Sequence, residues 1–322
     1  MHEGIKELIN IEKSNFIEYV YENKEDKVNI YRVCPKCGES SDIIKFGKFK
    51  GIQRYQCKAC SKTFSDVTNT PFYRSKKPLA YWLVYAKLML SGMTIRQSAK
   101  MTKINIATAF YWRHKILDSM FFLENKETLS DEIQISETFF PDSHKGEKGK
   151  GMEKRSNRVG GKLGLRNYVS VLCLIDGKDK IVVDPICRDT FWLYGIEKWL
   201  DRRIELEPKA RFISSVNKFD NKLAIKMFKN KIRKGKFEET YKGRNLAKSL
   251  KTWISEKFRG VATKYLNNYL VWFKYNMAGK FKTYKEFLSK NLNILMSLKS
   301  MPYSVSRVKD YRNKGIILYG TR

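Results

Sequence analysis

The chain is poor in acid. Its 322 residues hold 33 Asp and Glu against 64 Lys and Arg, a formal net charge of +31. An excess of that size selects for a polyanionic partner, of which nucleic acid is the commonest inside cells and an anionic membrane surface the alternative. Long apolar runs are missing as well. No stretch of about 18 apolar residues is present to span a bilayer. The opening MHEGIKELINIEKSNF has neither the basic nor the apolar region of a secretory signal. Six cysteines are too few for a disulfide scaffold in a chain of this length. Two of them, Cys173 and Cys187, sit in apolar, strand-like sequence and read as buried thiols of a reducing compartment. The expected setting is therefore intracellular: cytoplasm or nucleoid in a prokaryote, nucleus in a eukaryote. Double-stranded DNA is the expected partner, with no membrane and no small-molecule substrate.

What is present is a globular composition, 42% hydrophobic and 30% charged, with length for about two domains and at least one sizeable core. Residues 1–30 have helical spacing and read as an N-terminal arm. In CPKCGESSDIIKFGKFKGIQRYQCKACSKTF two Cys-x-x-Cys pairs, Cys34 with Cys37 and Cys57 with Cys60, bracket an alternating, hairpin-like stretch. Four thiolates delivered from two tight turns suit tetrahedral Zn(II), so residues 31–66 read as a zinc ribbon with a structural metal. Lys45, Lys48, Lys50, Arg54 and Lys58 would allow this ribbon to meet DNA, although a structural metal site explains the cysteines equally well.

Residues 67–122 change to helical period. Leu79, Trp82, Leu83, Ala86 and Leu90 make one apolar stripe that Gly92 ends. MTIRQSAKMTKINIATAFYWRHKIL then reads as helix, turn, helix, with Ile95 and Ala99 inside the first and Asn105 as N-cap of the second. Ala109, Trp112 and Ile116 face inward. Arg96, Thr108, Tyr111, Arg113 and Lys115 are left as candidate DNA contacts of a helix-turn-helix.

Residues 123–280 alternate as strands and helices. EIQISETFF is followed by a basic, glycine-rich loop, and YVSVLCLIDGKDKIVVDPI gives two strands about Asp176-Gly177. TFWLYGIEKWLDRR is expected helical, ARFISSV a strand and KFDNKLAIKMFKNKI a basic helix. The fold class is α/β (α+β) with a ribonuclease-H-like core, and residues 281–322 form a C-terminal helical tail.

The stretch FRGVATKYLNNYLVWF, Phe258 to Phe273, resembles the C-terminal signature of Merlin-type transposases and their bacterial insertion-sequence relatives, the ISXO-like group. The cysteine pairs, TAFYWRHKIL and ISETFF resemble that family's zinc ribbon, helix-turn-helix and first catalytic strand, in the same order. The resemblance implies binding of element ends by the N-terminal modules and multimeric action. It also implies DNA cutting and joining by a core in which two aspartates and a third Glu, Asn or His hold paired divalent ions. This chain departs from the pattern at each ligand. Ser136 stands where the first strand carries Asp, Val216 where the second Asp follows a later strand, and Arg244 and Ala247 about where Asn or His fall, with Asn245 as a substitute. Hard ions need oxygen ligands, preferably anionic; serine offers a neutral hydroxyl and valine nothing.

Glu137 is the residual acidic candidate, but strand neighbours point to opposite faces, so Glu137 belongs with Ile133 and Ile135 and Ser136 with Gln134 and Thr138. Asp176 reads as a turn residue, and Asp184, Asp189 and Asp220 as other acidic residues without a metal role. The leading expectation is a transposase-family DNA-binding protein without cleavage. The alternatives are an active enzyme taking Mg(II) or Mn(II) on rearranged ligands, Glu137 with Asp220 or Asp189 and Glu239, and a zinc-ribbon/helix-turn-helix regulator.

Overall fold

A computed structural model describes residues 33–49, 52–65, 68, 73, 75–90, 92–122, 126–143, 168–188, 199–200, 202–214, 232–234, 236 and 238–277. The expected N-terminal arm, the basic glycine-rich loop, most of the helix of residues 218–232 and the C-terminal tail lie outside them. The described residues divide into two units, one before residue 124 and one after it.

In the first unit β1 (Ile43–Phe49), β2 (Ile52–Cys57) and β3 (Thr63–Ser65) form an antiparallel sheet in that order. A register shift between Lys45 and Lys48 marks a bulge in β1, where Gly47 takes φ +72°. That left-handed backbone is open to glycine without a Cβ penalty. Three helices follow: α1 (Leu79–Leu90), α2 (Ile95–Thr102) and α3 (Ile106–Phe122). Each boundary has a local cause. Gly92, at φ +84°, follows the end of α1. Thr94 and Gln97 form a capping box at the start of α2, and Lys103 closes it in the left-handed region. Asn105 caps α3 by accepting the Ala107 amide at 2.8 Å.

Trp82 of α1 stacks on Trp112 of α3 with centroids 4.0 Å apart, and Tyr85 meets the same ring edge-on. Tyr85 also donates its hydroxyl to the Ala109 carbonyl, which fixes α1 against the first turns of α3. Of the expected apolar stripe, Trp82 and Ala86 are buried, as are Ala99, Ala109, Trp112 and Ile116 on the following helices.

The second unit is mixed α/β. Its five-stranded sheet runs β10-β9-β5-β6-β7, from β5 (Glu132–Pro141), β6 (Tyr168–Ile175), β7 (Ile181–Arg188), β9 (Arg211–Ser214) and β10 (Ile232–Lys234). β5, β6 and β7 are successive antiparallel neighbours, whereas β9 is parallel to β5 and β10 to β9. Two short strands, β4 (Glu127–Leu129) and β8 (Ile204–Leu206), pair in parallel beside it.

Side chains alternate across the central strand. Ile133 and Ile135 join Leu172, Leu174, Trp199 and Phe212 in one apolar cluster, and Phe140 joins Val171, Cys173, Leu246, Ala247 and Leu250 in the other. The second cluster rests on α4 (Tyr241–Phe258) and α5 (Leu266–Met277), separated by a turn of 3₁₀ helix at Thr263–Tyr265. Gly243 of α4 lies so close to β5 that a Cβ there would stand 3.1 Å from the Gln134 Cβ. Its amide donates to Gln134 Oε1 at 2.8 Å.

FRGVATKYLNNYLVWF is what joins α4 to α5. Arg259 and Gly260 turn the chain with positive φ, and Phe258 packs edge-on against Tyr269 at 4.7 Å while Trp272 meets Trp253 at 5.4 Å. Offset and edge-to-face aromatic pairs of this kind each add about 0.5–1.5 kcal/mol beyond their buried area.

Candidate metal centre and the central-strand site

Each Cys-x-x-Cys pair is held in a tight turn followed by a left-handed residue. Gly38 donates its amide to the Cys34 carbonyl and takes φ +79°; Ser61 follows the second pair at φ +56°. Cys57 is pinned by its amide to the Lys62 carbonyl at 3.0 Å, which begins the run into β3. The four sulfur atoms come together within 4.8 Å of one another, with Cys34 3.6 Å from Cys60 and Cys37 3.6 Å from Cys57. Tetrahedral zinc with bonds of about 2.3 Å sets sulfur–sulfur edges near about 3.8 Å, so the quartet fits the ion. Cys34 and Cys57 are buried, Cys37 exposed and Cys60 between.

Proton affinity is divided unequally. Burial raises the Cys34 thiol, but amide donors at Cys37 and Lys36 and its thiol neighbours outweigh this and bring it down to about 7. At Cys37 the Glu39 amide lowers the thiol, yet desolvation and hydrogen bonds with the other three thiols push it up to about 12. Cys34 thus favours its thiolate while Cys37 resists ionisation, a resistance that a divalent cation relieves. The quartet could hold a structural zinc ion. Among the described residues it is the only set of three or more Cys, His, Asp or Glu side chains close enough to share one metal.

The residues expected as DNA contacts on α2 and α3 are not all exposed. Arg96 is exposed, and Thr108 and Tyr111 are half-buried. Arg113 and Lys115 are buried, at 1% and 5% exposure, and their expected place on an open face is corrected accordingly. The reason lies in their contacts: Arg113 turns back to donate Nη2 to the Met93 carbonyl at 2.6 Å, in the turn ahead of α2. Lys115 lays its ammonium 4.8 Å from the Tyr111 ring centroid, and burial lowers it to about 8. His114 is buried too, with its ring 4.4 Å from Phe110. The exposed cations of this segment are Arg96, Lys100 and Lys103. The last two sit along α2 and the turn, where spacing alone did not single them out.

In the second unit Ser136 is buried in the middle of the central strand and pairs in register with Cys173. On its face stand Gln134, Thr138 and Phe140 of β5, with Val171 and Cys173 of β6, beneath Leu246, Ala247 and Leu250. Burial raises the Cys173 thiol, with Asp184 and Glu137 adding to the effect. Glu137 is half-buried on the opposite face and accepts the Ser170 hydroxyl at 2.8 Å.

Asp184 is on that second face as well. It accepts the Trp199 indole at 2.9 Å and Arg203 Nε at 2.8 Å, a buried pair that fixes β7 to the segment ahead of β8. Asp176 accepts the amides of Lys178 and Lys180 through one oxygen and of Ser130 through the other, which makes it the organiser of the β6–β7 turn. Glu239 accepts the Lys236 amide at 2.7 Å. Along α4, Arg244 is half-buried, Ala247 packs into the apolar cluster and Asn245 is exposed. Asp189, Val216 and Asp220 lie outside the described residues. Signals for the Asp184–Arg203–Trp199 network existed only as an isolated Asp in an apolar strand and a basic pair after a helix, and no spacing rule joins them.

One curated protein of Halobacterium salinarum (strain ATCC 700922 / JCM 11081 / NRC-1), an uncharacterized protein in transposable element ISH50, is 41% identical to the chain over 66 residues, 20% of this chain and 22% of that protein. The match thus spans about a fifth of its length and points to a transposase-related origin. No protein-family model matches the chain. No solved structure matches it. Among the described residues no helix is long and apolar enough to cross a membrane.

Proposed function

We propose that the protein is a transposase-derived, double-stranded-DNA-binding protein of the Merlin/ISXO type whose core no longer cuts DNA. The observation that carries this is Ser136: the central strand presents a buried hydroxyl beside Cys173, under the apolar side chains of α4. A hard divalent ion would need anionic oxygen at that place. The sheet supports the choice of core. Three antiparallel strands in meander, with two further strands parallel to the first on its other side, are the order and direction of a ribonuclease-H-like sheet. The two parallel crossovers each need a helix-length connection. Three further features support DNA binding: a net charge of +31, a quartet of cysteines fit for zinc, and α2 and α3 joined by Lys103, Ile104 and Asn105 as in a helix-turn-helix. The partial relative from a transposable element supports the origin.

The test uses the purified zinc-loaded chain on duplex DNA taken from the two sides of its gene. Binding is expected with a log–log salt slope of about −0.9 per phosphate neutralised, and no Mg(II)- or Mn(II)-dependent nicking or strand transfer is expected. Robust nicking that Glu137→Ala abolishes would overturn the loss of cleavage and favour rearranged ligands. Binding insensitive to salt would overturn the DNA reading itself.

A further inference from the structure

The bulge in β1 does more than bend the ribbon. Without it, Phe49 would alternate onto the face opposite Phe46. With two residues of β1 opposing one of β2, the phase is reset: Ile44 pairs Gln56, Phe46 lies by Arg54, and Phe49 pairs Ile52. Ile44, Phe46, Phe49 and Ile52 therefore share one face, and all four are exposed, Phe46 at 45% and Phe49 at 62%. The Arg54 guanidinium lies 5.4 Å from the Phe46 ring centroid. The opposite face carries Tyr55 stacked on Phe64 at 5.5 Å. Arg54 is the cation on the strip's own face, and Lys45 and Lys48 pair Tyr55 and Gln53 on the other. With the exposed Lys36, Lys58 and Lys62 these cations outnumber Glu39 and Asp42, the acids among the described residues of the ribbon.

We infer that this face of the β1–β2 hairpin binds single-stranded DNA, stacking unpaired bases on Phe46 and Phe49 while Arg54 and the exposed lysines of the ribbon draw in the backbone. The chemistry selects that partner. A duplex offers phosphates to the lysines but keeps its base faces stacked inside, so the exposed rings would gain nothing. A second copy of the chain would bring Arg54 and the lysines against their own like charges. Unpaired bases supply both a π face and a phosphate, the pairing that single-strand binders use. The inference deepens the DNA-binding reading by giving the ribbon a role separate from duplex recognition by the helices.

The experiment is fluorescence anisotropy of the full zinc-loaded chain with labelled oligothymidylate of about 12 nucleotides, an abasic strand of the same length, and a duplex. Oligothymidylate is expected to bind more tightly than the abasic strand. The Phe46→Ala/Phe49→Ala variant is expected to lose about 5- to 150-fold in affinity for each stacked base, with zinc content and duplex affinity unchanged, whereas Phe46→Trp keeps single-strand affinity. Equal affinity for the abasic strand overturns the inference whatever the variants do. So does a double variant that binds oligothymidylate normally, or one whose only change is dissociation of a dimer. If the double variant loses its zinc, the abasic comparison and Phe46→Trp decide. Loss of duplex binding with oligothymidylate binding intact counts against the proposed function and leaves this inference standing.

Discussion

Replacing Ser136 by aspartate tests whether the central strand has kept a place for a metal ligand. Ser136 is 5% exposed and in register with Cys173, which is fully buried; Ala247 and Leu250 cover the same face. A carboxylate there loses its hydration and meets a thiol that burial already keeps protonated. Removing an unpaired carboxylate from water shifts its pKa upward, by several units in the deepest sites. A shift of about two units corresponds to about 3 kcal/mol. Ser136→Asp is therefore expected to lower unfolding stability by about 3 kcal/mol at pH 7, a large part of the 5–15 kcal/mol that a domain typically holds.

The sign with pH follows. The folded-state pKa is raised above the unfolded one, so the penalty is absent below the unfolded value of about 4, grows as pH rises from there, and levels off above the folded pKa. Urea unfolding at a series of pH values, with and without Mg(II), reads both the size and the trend. A variant as stable as the parent at pH 7 would refute the reasoning. So would a variant that Mg(II) stabilises strongly, since the face would then be an ion site lacking only its ligand.

Three other expectations rest on local geometry. Chelation, or Cys57→Ser, should unfold the ribbon as seen by loss of its amide dispersion, because a structural zinc site supplies the folding free energy of so small a sheet; an equally folded metal-free ribbon would refute the assignment. Asp184→Ala removes the buried carboxylate that meets Arg203 Nε and the Trp199 indole and should cost about 3–5 kcal/mol in chemical denaturation, whereas a loss below about 1 kcal/mol would mean the pair is solvated. Gly243→Val drives two methyls against Gln134, where even a Cβ comes to 3.1 Å, and should cost about 1–3 kcal/mol from overpacking, read from the thermal midpoint; an unchanged midpoint would show that α4 lifts freely from β5.

The parts of the molecule that sequence exposes are those whose cause is local. Two turns with two cysteines each mark a candidate metal site by spacing alone, and Asn105 announces a helix start because its side chain caps the chain it begins. Alternation along ISETFF correctly separates Ser136 from Glu137, since a strand has only two faces. Where the cause is tertiary, the reading fails or is silent. From Trp112 to Asp118 every residue of α3 is buried, so no polar stripe exists to read, and Arg113 earns its place through a carbonyl twenty residues back. The parallel β4–β8 pair and strand β10 are three residues each, too short for a period. The bulge at Gly47 is equally hidden, because a glycine in an alternating run signals a kink but not which side chains it brings together.

Under the proposed function, the fold outlasts its chemistry. A cutting core would need acidic ligands from several distant segments, and position 136 offers a hydroxyl instead of one of them. The features that hold the fold are differently distributed: the cysteine quartet belongs to the first unit, the aromatic clamp of Phe258, Tyr269 and Trp272 to the join of α4 and α5, and the Asp184–Arg203 pair to the opposite face of the sheet, and none includes Ser136. On that reading a serine in place of a carboxylate at position 136 relieves the core of a buried charge, while losing any of the others would cost the fold several kcal/mol. If the proposed function holds, selection for folding and for DNA binding keeps the second set intact once selection for cutting has ceased, and the two decay independently.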